Sequence, residues 1–163
     1  MHTFAPQPMY NAMESTAFAM RRVALHRRLA GRDGKTMCDG NKRVLVVDDD
    51  DGIVEPVRLG LEERGYEVLV AHDGTEALMH VERDAPDLVL LDIVMPRRNG
   101  LAVLDRLSGQ TQNCPRIIMM TGNAEDKHRT YAHDRGVTAF IAKPFDVTAL
   151  LDQVDSVMAV PAD

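Results

Sequence analysis

The chain has 163 residues, 45% of them hydrophobic and 27% charged, with a formal net charge of −6. That is the composition of one globular domain with a core plus a tail, and no apolar run approaches membrane-spanning length. The charge is unevenly placed: residues 1–36 carry six basic and two acidic side chains, and residues 37–163 carry thirteen and twenty-three, so the acidic body argues against a nucleic-acid ligand.

Residues 1–41 read as a basic N-terminal extension. Ser15 to Ala30 could form a short basic amphipathic helix, or serve as a targeting segment. A disordered tail, or residues added by an upstream start before Met37, is the preferred reading. Cys38 and Cys114 have no metal-ligand or redox spacing, which fits a reducing, cytoplasmic setting.

The regular pattern begins at Arg43. Arg43–Val47 is a short apolar run, a buried strand. Ile53–Arg64 has helical spacing and ends at Gly65; Pro56 inside it predicts a later start or a kink. Asp50 and Asp51 suit the cap and first turn of that helix. Strand Glu67–Ala71 and helix Gly74–Arg83 follow, then strand Leu88–Asp92 and helix Leu101–Leu107. Arg97-Arg98 before Asn99-Gly100 reads as a solvated turn. Strand Arg116–Thr121, polar helix Glu125–Asp134, strand Ala139–Ala142 and helix Val147–Met158 complete the chain. His72, His80, His128 and His133 are read as solvated decoration.

Five alternating βα units predict an α/β protein: a doubly wound, flavodoxin-like parallel sheet in strand order 2-1-3-4-5, over residues 42–160. In such sheets the site lies beyond the carboxyl ends of the strands. Those ends carry Asp48 and Asp49, Asp92, Thr121 and Lys143. Crowded carboxylates need a cation, and Mg2+ takes oxygen ligands beside a phosphoryl group. The lysine would neutralise the transferring group.

Val44-Leu45-Val46-Val47-Asp48-Asp49, Leu91-Asp92-Ile93-Val94-Met95-Pro96, Met120-Thr121-Gly122 and Ala142-Lys143-Pro144-Phe145 together resemble the receiver domain of bacterial two-component response regulators. The resemblance implies a stand-alone signalling switch of chemotaxis-regulator type, not an enzyme on other substrates. Asp92 would accept phosphate from a histidine kinase or histidine phosphotransfer protein. Asp49 would bind Mg2+ directly and Asp48 through water, with Asp92 and the Val94 carbonyl completing the set. Thr121 and Lys143 would hold the phosphoryl group, and Phe140 would be the switch aromatic. Gly122 and Pro144 fill the family's flanking positions, and the Lys143–Pro144 bond resembles one that is cis. Val94 and Asn123 occupy positions that tune water access. A downstream protein target would read helix 4, strand 5 and helix 5, and the chain would act as a monomer, with no room for an output domain before Asp163.

A rival resemblance is to haloacid dehalogenase-like Mg-dependent phosphatases, through Asp49-Asp50-Asp51-Gly52, with Asp49 as nucleophile and Asp51 as acid/base. It lacks the usual Thr, where Ile53 stands, and leaves the Asp92 motif unexplained. A binding module indifferent to phosphate is the third reading, and the complete residue set argues against it.

Overall fold

The computed structural model describes residues 41–95, 100–109, 114–122 and 126–160. The N-terminal extension up to residue 40, the Arg97-Arg98-Asn99 turn and Asn123 lie outside the described residues.

Strands and helices alternate along the chain: β1 (Arg43–Val47), α1 (Asp51–Glu63), β2 (Glu67–Ala71), α2 (Gly74–Asp84), β3 (Leu88–Asp92), α3 (Gly100–Ser108), β4 (Arg116–Thr121), α4 (Asp126–His133), β5 (Ala139–Ala142) and α5 (Val147–Ala159). The strands form one parallel sheet in the order β2-β1-β3-β4-β5, the expected flavodoxin-like topology. In register, Val47 lies beside Ala71 and Leu91, Asp92 beside Met120, and Thr121 beside Ala142. The carboxyl ends of the strands therefore finish along one rim, and residues just past them are brought together.

Side chains alternate between the faces of a strand. Leu45, Val47, Val89, Leu91, Ile117 and Met119 pack toward α2, α3 and α4. Val44, Val46, Leu88, Leu90, Ile118 and Met120 pack toward α1 and α5. Both faces are covered, which is why these strands are continuous apolar runs. Each fully buried Leu, Ile, Val or Met contributes about 1.5–3 kcal/mol of burial.

Helix α1 starts at Asp51, two residues before the Ile53 read from periodicity. The Asp50 carboxylate caps it, accepting a hydrogen bond from the Gly52 amide at 2.8 Å. The later start inferred from Pro56 is therefore not what the structure has: Pro56 lies inside the helix, on its exposed side. There the carbonyl that loses its amide partner faces water, and Val54, Val57 and Leu61 still bury on the opposite side.

Helix α5 has no basic residue in its last turn. The cations come instead from the residue before β1 and from the first residue of β4. Lys42 Nζ donates to the Met158 carbonyl at 2.7 Å, and Arg116 donates to the carbonyls of Val157, at 2.6 Å, and Val160. These bonds satisfy carbonyls that a helix leaves unpaired, and place positive charge at its negative end.

Helix α4 is held differently. Ala132 is its buried apolar residue among those described. Its further tether is polar: the Tyr131 hydroxyl lies 2.7 Å from both carboxylate oxygens of Asp105 on α3. Arg135, just past α4, also donates to Asp105 and stacks over the Tyr131 ring, 3.4 Å from its centroid. Asp105→Ala should therefore raise amide hydrogen-exchange rates in α4 while leaving α2 unchanged. Equal exchange in α4 of the two proteins would show that the tether holds nothing.

Candidate functional site

β1 and β3 are adjacent and both end in carboxylates. Asp48 is fully buried. Its amide donates to the Ala71 carbonyl at 3.1 Å, continuing the β1–β2 ladder one step past the strand. Its carboxylate accepts from the Asp50 amide at 3.0 Å and from Lys143 Nζ at 2.5 Å. Asp92, the last residue of β3, is 4% exposed. Asp49 is exposed at the mouth of the site. One carboxylate oxygen from each of Asp48, Asp49 and Asp92 lies within 4.8 Å of the others.

Lys143 follows β5, and its backbone amide donates to the Thr121 carbonyl at 2.7 Å. The Lys143–Pro144 bond is cis, as expected. The lysine reaches Asp48 more closely than Asp92, at 2.5 Å against 3.3 Å. The expected pairing with Asp92 is thus shared with Asp48.

Burial pushes the Asp92 carboxyl above the usual carboxylate range. Lys143 opposes that shift, the Asp48 charge adds to it, and the Val94 amide, hydrogen-bonded to Asp92, opposes it. Three carboxylates face one ammonium here, so two negative charges are left uncompensated among these four groups. An all-oxygen donor set with excess negative charge fits a hard divalent cation such as Mg2+. Asp48, Asp49 and Asp92 are the residues placed to hold it, and the ion would supply the missing positive charge.

The remaining predicted residues fall around this centre. Thr121, at the end of β4, is 3% exposed. Phe140 lies opposite Met119, and Thr121 opposite Ala142, so Thr121 and Phe140 point to the same face of the sheet one step apart. Phe140 is half-buried against the core, with the Arg129 guanidinium 5.4 Å above its ring. The Val94 side chain is 70% exposed. Gly122 and Pro144 are exposed, and nothing lies within 4 Å of where a Gly122 side chain would begin.

Several contributors escaped the sequence reading. The Asp50 amide orients Asp48 through a bond that residue type does not reveal. Arg129 over Phe140 is a tertiary contact with no signal in spacing. His80 is half-buried and hydrogen-bonded to Asp84 at 2.9 Å, not solvated decoration; its four-residue spacing from Asp84 on one helix was the available clue.

Known proteins resemble this chain in sequence and fold. The chain is 35% identical over 118 residues to the alkaline phosphatase synthesis transcriptional regulatory protein PhoP of Bacillus subtilis, covering 72% of this chain and 49% of that protein. It is 38% identical over 116 residues to the response regulator MprA of Mycobacterium tuberculosis, covering 71% of this chain and 50% of that one. The chain thus spans about half the length of the curated relatives it matches. Among solved structures, the CheY-like receiver domain protein of Methanospirillum hungatei superposes with a TM-score of 0.68 at 31% identity, covering 73% of this chain and 94% of that one. A chemotaxis protein of Vibrio cholerae gives the same TM-score, 0.68, at 30% identity, covering 72% and 99%. The family model for the response regulator receiver domain matches residues 44–155, the stretch that contains the acidic rim, Thr121 and Lys143. The chain belongs to the response regulator receiver family.

Proposed function

We propose that this receiver takes a phosphoryl group from a phosphohistidine, on a histidine kinase or a histidine phosphotransfer protein, onto Asp92 in a Mg2+-dependent reaction. The observation that carries the reading is the convergence of Asp92 with Asp48 and Asp49, within 4.8 Å, and with Lys143, at 3.3 Å. A carboxylate oxygen of Asp92 attacks phosphorus in line, and the histidine nitrogen leaves. Mg2+, when bound, offsets charge on the phosphoryl oxygens. Lys143 stands where it can pair with the same oxygens, and positioned charge of this kind is the main catalytic term in phosphoryl transfer. Thr121 supplies a hydroxyl to the phosphoryl group, and Phe140, on the same face, responds to its movement. The change is read by a partner protein on α4, β5 and α5, and the receiver acts as a switch inside the cell.

Incubation with a phosphorylated histidine phosphotransfer protein tests this. Transfer of label to the receiver should require Mg2+ and give a hydroxylamine-sensitive acyl phosphate on Asp92. Label on histidine or serine, or transfer at full rate in chelator, would overturn it.

Val94 bears on how long the acyl phosphate lasts. Its apolar side chain is exposed two residues past Asp92 and can offer an attacking water no hydrogen bond. Val94→Asn should shorten the lifetime of the phosphorylated form. The decay of isolated phosphoprotein at fixed Mg2+ gives the measurement; equal half-lives would remove Val94 from the argument.

A further inference from the structure

We propose that Gly100 is a positioning residue for the phosphoacceptor: by lacking a side chain, it lets the first turn of α3 rest on the backbone of Asp92 and so sets where the Asp92 carboxylate sits. The inference rests on the reading of Asp92 as the acceptor.

Gly100 is the first residue of α3 and is buried. Its amide donates to the Ile93 carbonyl at 3.0 Å, which draws the helix onto the end of β3. A Cβ at this position would lie 2.1 Å from the Asp92 carbonyl oxygen, 2.9 Å from its carbonyl carbon and 3.0 Å from the Ile93 Cα. All three are backbone atoms, so no rotamer change relieves the overlap. Either α3 or Asp92 must move.

α3 is poorly placed to retreat, because Val103, Leu104 and Leu107 are fully buried in the core beneath it. Asp92 is also held from its other side, where the Ile93 amide donates to the Met120 carbonyl at 3.2 Å. Asp92 therefore sits between β4 and the start of α3, and its carboxylate meets Lys143 and the other two aspartates only in that place. A shift of about 1 Å in such a constellation costs on the order of a hundredfold in rate.

Other glycines show what is special here. Gly60 is also crowded, but a Cβ there would meet the Leu151 Cδ1 at 2.5 Å, the mobile end of a side chain far from the acidic rim. At Gly122 a Cβ would meet nothing within 4 Å.

The test compares Gly100→Ala with Gly60→Ala in the full chain, at a temperature where circular dichroism shows both folded. The probes are acetyl phosphate as small-molecule donor and Mg2+ alone as ligand. Gly100→Ala should be phosphorylated about a hundredfold more slowly than the native protein and bind Mg2+ more weakly. Gly60→Ala should stay within a few-fold of the native rate, even where its thermal midpoint falls further. A double variant, Gly100→Ala with Val103→Ala, weakens the anchorage of α3 in the core, so that the helix rather than Asp92 gives way. Its rate should recover toward native although the core has lost a side chain. If Gly100→Ala does not fold unaided, its rate is read in trimethylamine N-oxide, which favours the compact state, beside native protein in the same solution.

Native rate and Mg2+ affinity in folded Gly100→Ala would overturn the inference. So would equal rate losses in the two single variants, or a double variant slower than Gly100→Ala. If the native chain itself takes no phosphate on Asp92, the underlying reading fails instead, and the two failures are distinguishable.

Discussion

Asp92→Asn should give a folded protein that accepts no phosphoryl group from any donor. The amide is the same size as the carboxylate and is no nucleophile toward phosphorus, so the loss should be complete rather than partial. The same change should raise the thermal midpoint of the metal-free protein. Asp92 is 4% exposed, and burial together with the Asp48 charge disfavours its ionised form. A neutral amide removes that cost, while Lys143 keeps Asp48 as partner at 2.5 Å. Mg2+ should then stabilise the variant less than the native protein, because one ligand is gone.

Asp49→Asn is the companion measurement. It keeps the nucleophile and weakens the metal set, so phosphorylation should persist with a higher Mg2+ requirement. Under the phosphatase-like alternative, Asp49 would carry the phosphate and Asp51 would move protons. The Asp51 side chain, however, is 82% exposed at the start of α1, turned to solvent. Label retained in Asp92→Asn and lost in Asp49→Asn would sink the receiver mechanism.

Lys143→Met should cost both stability and rate. The Lys143 side chain is 17% exposed and pairs with Asp48, whose side chain is 1% exposed, and with Asp92, at 5%. Removing one partner of a buried ion pair strands the other charge, at a cost of roughly 3 kcal/mol. For a domain of this size that lowers the thermal midpoint by about 10 °C. Phosphorylation by acetyl phosphate should slow by about a hundredfold or more, the usual effect of deleting one preorganised charge from a transition state. The two effects separate on titration with Mg2+. The ion offsets stranded carboxylate charge, so the midpoint should recover in part. It cannot replace an ammonium at the phosphoryl oxygens, so the rate should not. Full recovery of rate at saturating Mg2+ would reduce the lysine to a structural counter-ion.

The sheet order and the members of the acidic rim were legible in the chain because each rests on local chemistry. Strands buried on both faces, such as Leu88–Leu91, must be continuously apolar, and charges abruptly ending such runs mark the rim. A glycine and an aspartate at helix ends did the rest: Gly65 follows α1 and Asp50 caps it. What stayed hidden depends on three-dimensional neighbours. Asn99-Gly100 reads as a turn by residue type, yet Gly100 opens α3 and is required to be small by the Asp92 carbonyl above it. Pro56 reads as a sign of a later start or a kink, and its exposed position made it tolerable inside the helix. The choice of Lys143 between Asp48 and Asp92 turns on a difference under 1 Å, which no spacing encodes.

The sheet also acts as a bulkhead. Among the described residues, the buried side chains packed on α1 and α5 and those packed on α2, α3 and α4 form separate clusters on opposite faces of the strands. Two compartments divided in this way can be refilled separately. Sequence drift on the α1 and α5 side can proceed without disturbing the seat of α3 against Asp92, provided the strands keep their register. One chemical rim can thus be carried unchanged while the α1 and α5 compartment is refitted for a different companion.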